Sequence, residues 1–330
     1  GLTSAQRHEQ WRRIREGEAN IVVGARSAVF APLPKVGVII VDEEQENSYK
    51  QDQLPRYHAR DVAVKRGQML GIPVLLGSAT PSLESYDNAT RRGSYKLIEL
   101  PDRVMNMKLP RVEVVDMVDE RRKRRGVHLM GARLEHVLGQ TLNDGGQAML
   151  LLNRRGYANY IACPDQNCGW LKSCDYCDVT MVYHKDHRLP TGGNVRCHHC
   201  GAEQLLPQHC PTCARKVTVF GLGTQRVEEE LVRKFPDVRY QRMDSDVMRT
   251  GRDYHDALER FRSGELQVLV GTQMIAKGLD FPNVRLVGVI SGDTSLHMPD
   301  FRAAERTFQL IAQVGGRAGR SDEPGQVIVQ

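Results

Sequence analysis

Short apolar runs rich in valine and isoleucine alternate along this chain with segments whose apolar residues recur every three or four positions. Such runs are typical of strands buried in a parallel sheet, and the longer period predicts helices between them. The predicted strands cover residues 21–23, 36–41, 74–76, 148–152, 217–220, 238–241, 268–270 and 286–290. The predicted helices cover residues 58–70, 133–142, 224–234 and 253–262. This alternation predicts an α/β fold with right-handed crossovers.

The order of these segments predicts two lobes, the second of which contains a small module. A charged and less regular stretch, residues 101–125, separates the two series of strands and helices. A chain of 330 residues is long enough for two core-forming domains and a module. The predicted divisions are residues 1–107 for the first lobe, 108–160 for a linker and the start of the second lobe, 161–215 for a cysteine-rich module, and 216–330 for the remainder of the second lobe.

Composition narrows the class of protein only slightly. The chain is 40% hydrophobic and 26% charged, and its net charge of +6 weakly favours a polyanionic partner. It contains no run of 18 or more apolar residues, so we expect no membrane span. Its first residues lack the charged-then-apolar pattern of a signal peptide. We therefore expect a cytoplasmic protein that has no membrane partner.

All eight cysteines lie between Cys163 and Cys213, in four closely spaced pairs. Clustered pairs in a chain without an export signal are typical of metal ligands in a reducing compartment. Cys177 and Cys197 are separated by 19 residues, a usual gap in a four-cysteine zinc ribbon, and joining these inner pairs leaves the outer pairs to form a second site. The predicted ligand sets are Cys163, Cys168, Cys210 and Cys213 for one zinc, and Cys174, Cys177, Cys197 and Cys200 for the other. Because four thiolates close the coordination sphere, we expect two structural zinc ions.

An acidic segment follows the predicted strand at residues 36–41. Asp42, Glu43, Glu44 and Gln45 then stand at the carboxyl end of that strand, which is the edge where open α/β sheets bind ligands. In nucleotide hydrolysis an Asp at such a place holds Mg²⁺, and a neighbouring Glu orients and deprotonates the attacking water. A solvated acidic turn is the alternative interpretation of the same residues.

Two further segments carry residues suited to phosphoryl transfer. Ser78 and Thr80 follow the strand at residues 74–76, where their hydroxyls would relay between the acids and a second site. The alternative is an ordinary strand-to-helix turn capped by a hydroxyl. Arg317 and Arg320 stand three residues apart after a predicted helix, which suits an arginine finger that reaches a γ-phosphate. The alternative for this pair is a basic helix end favoured by the helix dipole.

These segments together resemble the motifs of superfamily-2 helicases. The acids, residues 78–81, residues 271–282 and residues 313–320 occur in the order and relative spacing of motifs II, III, V and VI. More specifically, nearly the whole chain resembles the primosomal protein N′ (PriA) family of bacterial replication-restart helicases. Further stretches that carry this resemblance are residues 24–32, 47–51, 55–61, 152–157 and 300–306. The resemblance implies two RecA-like parallel-sheet lobes, the first incomplete, with the two-zinc module inserted in the second.

The resemblance also implies an activity. It implies an ATP-dependent 3′-to-5′ DNA helicase that recognises stalled or forked DNA and initiates replication restart by primosome assembly. The implied cofactors are ATP, Mg²⁺ and two Zn²⁺ per chain. The implied partners are forked and single-stranded DNA, single-stranded DNA-binding protein, and primosome and helicase-loading proteins. The alternatives are a zinc-dependent DNA-binding or scaffold protein without motor activity, and a translocase that moves on duplex DNA without separating its strands.

Roles for individual residues follow from the same resemblance. The implied catalytic residues are Asp42, Glu43, Arg317 and Arg320. The implied nucleotide-binding and coupling residues are Glu44, Gln45, Ser78, Thr80, Gly278, Asp280 and Gln313. The implied DNA-binding residues are Thr272, Gln273 and Lys277, with Tyr49, Lys50, Arg56 and Tyr57 in an aromatic and basic loop. The alternative for that loop is a packed segment whose tyrosine rings cover the edge of the sheet.

The chain departs from the family pattern at several places. Gln45 stands where the family usually has His, and an amide forms hydrogen bonds but does not carry a proton. Gly315 stands where Ala is usual, and four residues rather than two separate Cys163 from Cys168. The sequence has no Gly-x-x-x-x-Gly-Lys-Ser/Thr loop. We therefore expect a fragment that lacks the phosphate-binding loop and that, by itself, does not hydrolyse ATP.

Overall fold

The computed structural model of the chain describes most of its residues. The described residues are 3–51, 53–102, 109–124, 128–152, 159–165, 168, 170–176, 181–186, 188–197, 200–220, 224–244, 247–248, 250–272, 275, 281–292, 296, 300–319 and 325–330. They form two compact units, Gly1–Glu99 and Leu100–Gln330. The predicted boundary at residues 107 and 108 lies outside the described residues.

The first unit contains one parallel β–α–β crossover, a short hairpin and two flanking helices. Its elements in chain order are α1 (Ser4–Arg15), β1 (Ile39–Val41), β2 (Lys50–Gln51), β3 (Tyr57–His58), α2 (Ala59–Leu70), β4 (Val74–Leu76) and α3 (Leu83–Thr90). Two short 3₁₀ helices, Arg26–Phe30 and Asn47–Tyr49, lie between them. The predicted helix at residues 58–70 and the predicted strand at residues 74–76 are confirmed.

The crossover positions the polar segments of this unit. β1 and β4 pair in parallel, with Ile39 opposite Val74, so their carboxyl ends lie side by side. α2 connects them and ends at Gly71, whose φ of +64° is a left-handed conformation that glycine adopts without strain. A side chain at Gly67 would collide with Val74, so the absence of a Cβ lets α2 lie directly against β4.

The predicted strand at residues 21–23 is wrong. This segment is irregular, and Ile21 and Val23 are 82% and 92% exposed. Among the described residues of this unit, the only parallel pair of strands is β1 with β4, so residues 21–23 have no neighbouring strand that would satisfy their backbone groups. The apolar run resembles a buried strand because local hydrophobicity does not report whether a partner strand is present.

The second unit contains two sheets. Its elements in chain order are β5 (Arg111–Val114), α4 (Met117–Lys123), α5 (Ala132–Asn143), β6 (Gln147–Leu152), β7 (Asn159–Ala162), β8 (Val182–Lys185), β9 (Gly193–Arg196), β10 (Glu203–Leu205), β11 (Thr218–Phe220), α6 (Thr224–Lys234), β12 (Tyr240–Met243), α7 (Gly251–Arg262), β13 (Val268–Gly271), β14 (Val284–Ile290), α8 (Ala303–Gly315) and β15 (Gln326–Val329).

A six-stranded parallel sheet, in the order β12-β13-β6-β14-β15-β5, forms the core of this unit. Every residue of β6 and β13 is buried, as expected for strands covered by helices on both faces. Gly288 in β14 faces Leu134 of α5 and Leu150 of β6, and a Cβ there would approach Leu134 Cδ1 to 2.8 Å. Glycine therefore allows α5 to pack closely on the centre of the sheet. The predicted α/β class with a parallel sheet is confirmed.

A five-stranded antiparallel sheet, in the order β10-β9-β8-β7-β11, carries the cysteine-rich segment. The strand predicted at residues 217–220 belongs to this sheet, because β11 pairs with β7 and not with the parallel strands. Its assignment to the parallel series is therefore wrong, since an apolar run of four residues does not specify the direction of its partner. The edge strands of this sheet are β10 and β11, and β7 lies between β8 and β11.

Two strands of the parallel sheet were not predicted. β5 lies in the stretch 101–125 that seemed irregular, and its Val112 and Val114 are exposed at the edge of the sheet. β15, at the end of the chain, pairs with β14 and β5. β5 is a short edge strand of mixed polarity, and such a strand gives a weak sequence signal because it is buried on few sides. None of the described helices has the length and apolar character needed to cross a lipid bilayer.

Candidate nucleotide and metal sites

The acidic segment lies at the carboxyl edge of the small parallel sheet. The Gly77 amide donates to the Val41 carbonyl at 2.8 Å, and the Glu44 amide donates to the Gly77 carbonyl at 3.0 Å. These bonds hold the turn after β1 against the turn after β4. Glu43 has a φ of +48°, a left-handed conformation that a non-glycine residue rarely adopts and that is common at functional turns. The two segments that the sequence singled out are therefore neighbours.

The three consecutive acids occupy different environments. Asp42 is exposed, Glu43 is half-buried, and Glu44 is 1% exposed. Asp42 and Glu43 present carboxylate oxygens at the edge of the sheet, which are the ligands that Mg²⁺ prefers. The donor set therefore fits a hard cation at Asp42 and a water-activating base at Glu43.

Glu44 is held by a network that the sequence did not indicate. Its carboxylate accepts the Ser82 amide at 2.6 Å, the Ser85 hydroxyl at 3.0 Å and the Arg60 guanidinium at 2.9 Å. Burial alone would lower the pKa of Arg60, but its hydrogen bonds to Glu44 and Asp61 outweigh burial and raise that pKa. Because both charges are buried and bonded, Glu44 is a structural neighbour of the acids rather than a group open to solvent.

Gln45 connects the acids to the turn after β4. Its amide nitrogen donates to Glu43 Oε2 at 2.6 Å, and its amide oxygen accepts the Ser78 hydroxyl at 2.6 Å. The Ser78 hydroxyl in turn accepts the Thr80 amide at 2.9 Å. A continuous chain of hydrogen bonds thus runs from Glu43 to Thr80. Gln45, the central residue of this chain, has no titratable group.

The aromatic and basic loop is a two-stranded hairpin in the structure. β2 and β3 pair with Lys50 opposite His58. The Tyr49 hydroxyl donates to the Asp42 carbonyl at 2.7 Å, and burial together with the Asp42 and Glu43 carboxylates raises the pKa of Tyr49. The Tyr57 ring packs edge-on against Phe30, with centroids 5.0 Å apart. Both tyrosines are therefore packed against this unit, whereas Lys50 and Arg56 are exposed.

Thr272 of motif V and Arg317 of motif VI lie at different edges of the six-stranded sheet. Thr272 directly follows β13 and so lies at its carboxyl edge. The chain then returns to the amino edge, where β14 begins at Val284. Arg317 follows the end of α8 at that amino edge, where the Gly319 amide donates to the Val284 carbonyl at 3.2 Å. Gln313 is half-buried in the last turn of α8.

Several expected site residues lie outside the described residues. They are Cys177, Gln273, Lys277, Gly278, Asp280 and Arg320. The described residues of motif V are Gly271, Thr272, Ile275, Phe281 and Pro282, and those of motif VI end at Gly319.

The four outer cysteines form one compact cluster. The sulfur atoms of Cys163, Cys168, Cys210 and Cys213 all lie within 4.8 Å of one another. The Cys163–Cys213 and Cys168–Cys210 sulfur distances are 3.4 Å and 3.5 Å. Sulfurs bound tetrahedrally at the usual Zn–S length of about 2.3 Å would be about 3.8 Å apart. The cluster therefore fits a four-thiolate zinc site, and the unusual spacing of Cys163 and Cys168 does not separate their sulfurs.

The inner cysteines form a second cluster. Among the described residues it contains Cys174, Cys197 and Cys200, and the Cys174–Cys200 sulfur distance is 3.6 Å. Cys174 and Cys197 belong to the small apolar core of the module, together with Ile161. The structure thus brings the cysteines together in two nested groups, each of which can hold a metal ion.

The thiols of the outer cluster differ in acidity. Burial raises the pKa of Cys163 to about 12. Burial acts in the same direction on Cys210, but hydrogen bonds from the backbone amides of Cys213 and Thr212 lower its pKa to about 6. A thiolate at Cys210 is therefore available near neutral pH, and a bound metal would remove the remaining protons because only the thiolate is a ligand.

A third cluster of possible ligands was not predicted. His128, Glu135 and Glu230 bring ligand atoms within 4.8 Å of one another. Lys234 contacts both carboxylates, at 2.7 Å for Glu230, and Arg124 contacts Glu135 at 3.1 Å. The two glutamates lie about a hundred residues apart along the sequence, so no local pattern reveals the cluster. Its carboxylates are already neutralised by protein cations, which marks it as an ion-pair network.

Comparison with known proteins identifies relatives of this chain. The family profile described as "Helicase conserved C-terminal domain" matches residues 202–322. The chain is 49% identical over its whole length to the replication restart protein PriA of Bacillus subtilis and 43% identical to that of Synechocystis sp., covering 40% of each relative. The chain therefore spans half or less of the length of the curated relatives it matches. Among solved structures, RecG bound to a three-way DNA junction shares 13% identity at a TM-score of 0.46, covering 99% of this chain and 30% of RecG, a likeness too distant to carry a functional inference.

Proposed function

Because this chain belongs to the PriA family of replication restart proteins, we propose that it is part of an ATP-driven DNA helicase. The helicase moves 3′ to 5′, recognises stalled or forked DNA, and initiates replication restart by primosome assembly in the bacterial cytoplasm. The observation that carries the proposal is the pair of turns after β1 and β4, where Asp42 and Glu43 are joined to Ser78 through Gln45.

The acids supply the chemical step. Asp42, which is exposed at the sheet edge, would hold Mg²⁺, which would supply positive charge against the phosphates of ATP. Glu43 accepts a proton from the attacking water, and Gln45 keeps its carboxylate in place by donating at 2.6 Å. Arg317 and Arg320 act as arginine fingers that stabilise the charge on the γ-phosphate. Gly278, Asp280 and Gln313 complete the nucleotide contacts.

The coupling of hydrolysis to DNA movement uses the turn after β4. A change in position at Glu43 reaches Ser78 and Thr80 through three hydrogen bonds of at most 2.9 Å. Thr272, Gln273 and Lys277 contact the DNA backbone. The exposed cations Lys50 and Arg56 of the hairpin meet phosphates, whereas Tyr49 and Tyr57 support the hairpin from the protein side.

The cysteine clusters hold two structural zinc ions. The outer set is Cys163, Cys168, Cys210 and Cys213, and the inner set is Cys174, Cys177, Cys197 and Cys200. The fit of the sulfur distances to four-thiolate coordination supports the first site, and the three described thiols of the inner set support the second. The rigid module offers a surface to DNA, to single-stranded DNA-binding protein, or to primosome and helicase-loading proteins.

Strand separation by the complete gene product tests the proposal. We expect DNA-stimulated ATP hydrolysis, and release of a labelled strand from partial duplexes that carry a 3′ single-stranded tail but not from those with a 5′ tail. Arg320→Ala should lower ATP turnover by about a thousandfold with a much smaller effect on nucleotide binding. ATP hydrolysis without strand release would instead favour a translocase on duplex DNA. Binding of forked DNA without any ATP hydrolysis would favour the zinc-dependent scaffold.

A further inference from the structure

A buried bridge joins the acid turn to the start of α3. One guanidinium nitrogen of Arg60, in the first turn of α2, lies 2.9 Å from Glu44 Oε2 and 2.7 Å from the Ser82 hydroxyl. Glu44 accepts the Ser82 amide at 2.6 Å. The Arg60 side chain is 13% exposed and that of Glu44 is 1% exposed. Arg60, Glu44 and Ser82, which we call the Arg60 bridge, therefore lock together three segments that are far apart in sequence.

The Arg60 bridge lies next to the residues that would carry out ATP hydrolysis, so a change in the bridge would shift them. Glu44 is covalently adjacent to Glu43, and two residues from Asp42. Ser82 is two residues beyond Thr80, where the hydrogen-bond chain through Gln45 and Ser78 ends. The acid turn and the turn after β4 are thus connected twice, once through the half-buried side chains of Gln45 and Ser78 and once through the ion pair of Arg60 with the buried Glu44.

We propose that Arg60 is a positioning residue for ATP hydrolysis, acting through Glu44 and Ser82 to hold Asp42 and Glu43 in register with the turn after β4. The inference rests on the proposed function and names a residue beyond the helicase motifs. Phosphoryl transfer is catalysed mainly by positioning, so a displacement of the acids by a fraction of an ångström lowers turnover without removing a reacting group. Because Asp42 would hold Mg²⁺, the same displacement weakens metal binding.

The chain offers a matched control for Arg60. Arg66 lies on the same helix, is also partly buried, and donates its guanidinium to the Val29 and Ala31 carbonyls instead of to the acid turn. Loss of either arginine removes a buried guanidinium from α2. Only the loss of Arg60 removes a hydrogen-bond donor that Glu44 and Ser82 share.

The test measures steady-state ATP hydrolysis by the complete gene product at saturating DNA, with ATP and Mg²⁺ varied separately. For Arg60→Gln we expect kcat to fall about tenfold to a hundredfold, the KM for ATP to change by less than about twofold, and half-saturating Mg²⁺ to rise several-fold. Arg66→Gln should leave kcat and the Mg²⁺ requirement within about twofold of the unsubstituted protein. Arg60→Lys keeps the positive charge but loses the forked donors of the guanidinium. Its turnover should therefore lie between those of the unsubstituted protein and Arg60→Gln.

A second pair of variants keeps the test decisive if Arg60→Gln does not fold. Ser82→Ala removes the hydroxyl that bonds both Arg60 and Glu44 and that caps α3, and Ser85→Ala removes a different hydroxyl from Glu44. We expect a lower kcat and a raised Mg²⁺ requirement for Ser82→Ala only. Equal effects within either pair, or an unchanged Mg²⁺ requirement in folded Arg60→Gln and Ser82→Ala, contradict the role of Arg60. Absence of ATP turnover in the unsubstituted protein contradicts the proposed function, and this inference with it.

Discussion

Two groups of carboxylates in this chain contain similar residues and have different surroundings. The acid turn, residues 42–45, presents Asp42 and Glu43 at a sheet edge, and among the described residues the side-chain partner of Glu43 is the uncharged amide of Gln45. The carboxylate cluster, Glu135 and Glu230, lies against Lys234. Residue type alone would assign a metal to both groups.

The comparison shows that a carboxylate remains available to bind a metal ion only where no lysine or arginine of the protein is already bonded to it. A carboxylate bonded to lysine or arginine has already exchanged its hydration for a fixed partner, so a metal would have to displace that partner. The two thiol clusters resemble the acid turn more than the carboxylate cluster. Every possible ligand atom found in them is a cysteine sulfur. Predictions that separate the two kinds of group follow, ordered by the free energy at stake.

Removal of zinc should have the largest effect. Structural zinc sites of this kind contribute on the order of 10 kcal/mol to folding. We expect two zinc ions per complete gene product by elemental mass spectrometry, and one after Cys163→Ser or Cys174→Ser, because the two residues belong to different clusters. Glu230→Gln serves as the control and should leave both ions in place. A fall in zinc content in that control would place the carboxylate cluster among the metal sites.

Substitution of the proposed base should have the next largest effect. Glu43→Gln in the complete gene product should lower ATP turnover by about a hundredfold to ten-thousandfold, since it removes a general base and keeps the shape of the side chain. DNA binding, measured by fluorescence anisotropy, should be unchanged. Glu135→Gln is the control from the carboxylate cluster and should leave turnover per folded molecule unaffected. Comparable losses in the two variants would contradict the distinction between the groups.

Disruption of the carboxylate cluster should affect stability and not activity. Lys234→Met leaves Glu230, whose side chain is 6% exposed, without its cation, and should lower the free energy of unfolding by about 3 kcal/mol. Denaturant unfolding measures this change. Arg262→Ala breaks an ion pair with Glu259 in which both side chains are more than half exposed, and should cost less than about 0.5 kcal/mol. A loss for Lys234→Met no larger than for Arg262→Ala would show that the cluster is not structural.

Conversion of one kind of group into the other should have the smallest effect. Gln45→Lys places a cation beside Glu43 and so gives the acid turn the character of the carboxylate cluster. The cation would pair with the Glu43 carboxylate and compete with the proton of the attacking water for it, and we expect turnover to fall about tenfold, equivalent to about 1.4 kcal/mol. Gln45→Asn keeps an uncharged amide on a shorter side chain. It is the control for loss of the contacts of Gln45 with Glu43 and Ser78. A Lys variant at least as active as the Asn variant would argue against the importance of an uncharged neighbour.

Much of the fold was predictable because its central elements carry their signal locally. β6, β13 and β14 consist mostly of buried apolar residues, and the apolar residues of α6 and α7 recur with a helical period. The edge strand β5 was missed, and a strand was wrongly predicted at the exposed segment 21–23, because the local sequence signal of both segments is weak or misleading. Whether a short apolar run is buried depends on neighbours that the run itself does not specify.

The sequence by itself determined that a strand followed by three acids would present carboxylates at a sheet edge, and that paired cysteines would group in two sets, since both conclusions depend on short-range spacing. The tertiary structure alone decided that Glu44 is buried against Arg60 and Ser82 while Asp42 is exposed. It also decided that Tyr49 and Tyr57 are packed, and that Lys234 neutralises Glu135 and Glu230. The physical reason is that burial and charge pairing are made by residues distant along the chain, which meet only when the chain has folded.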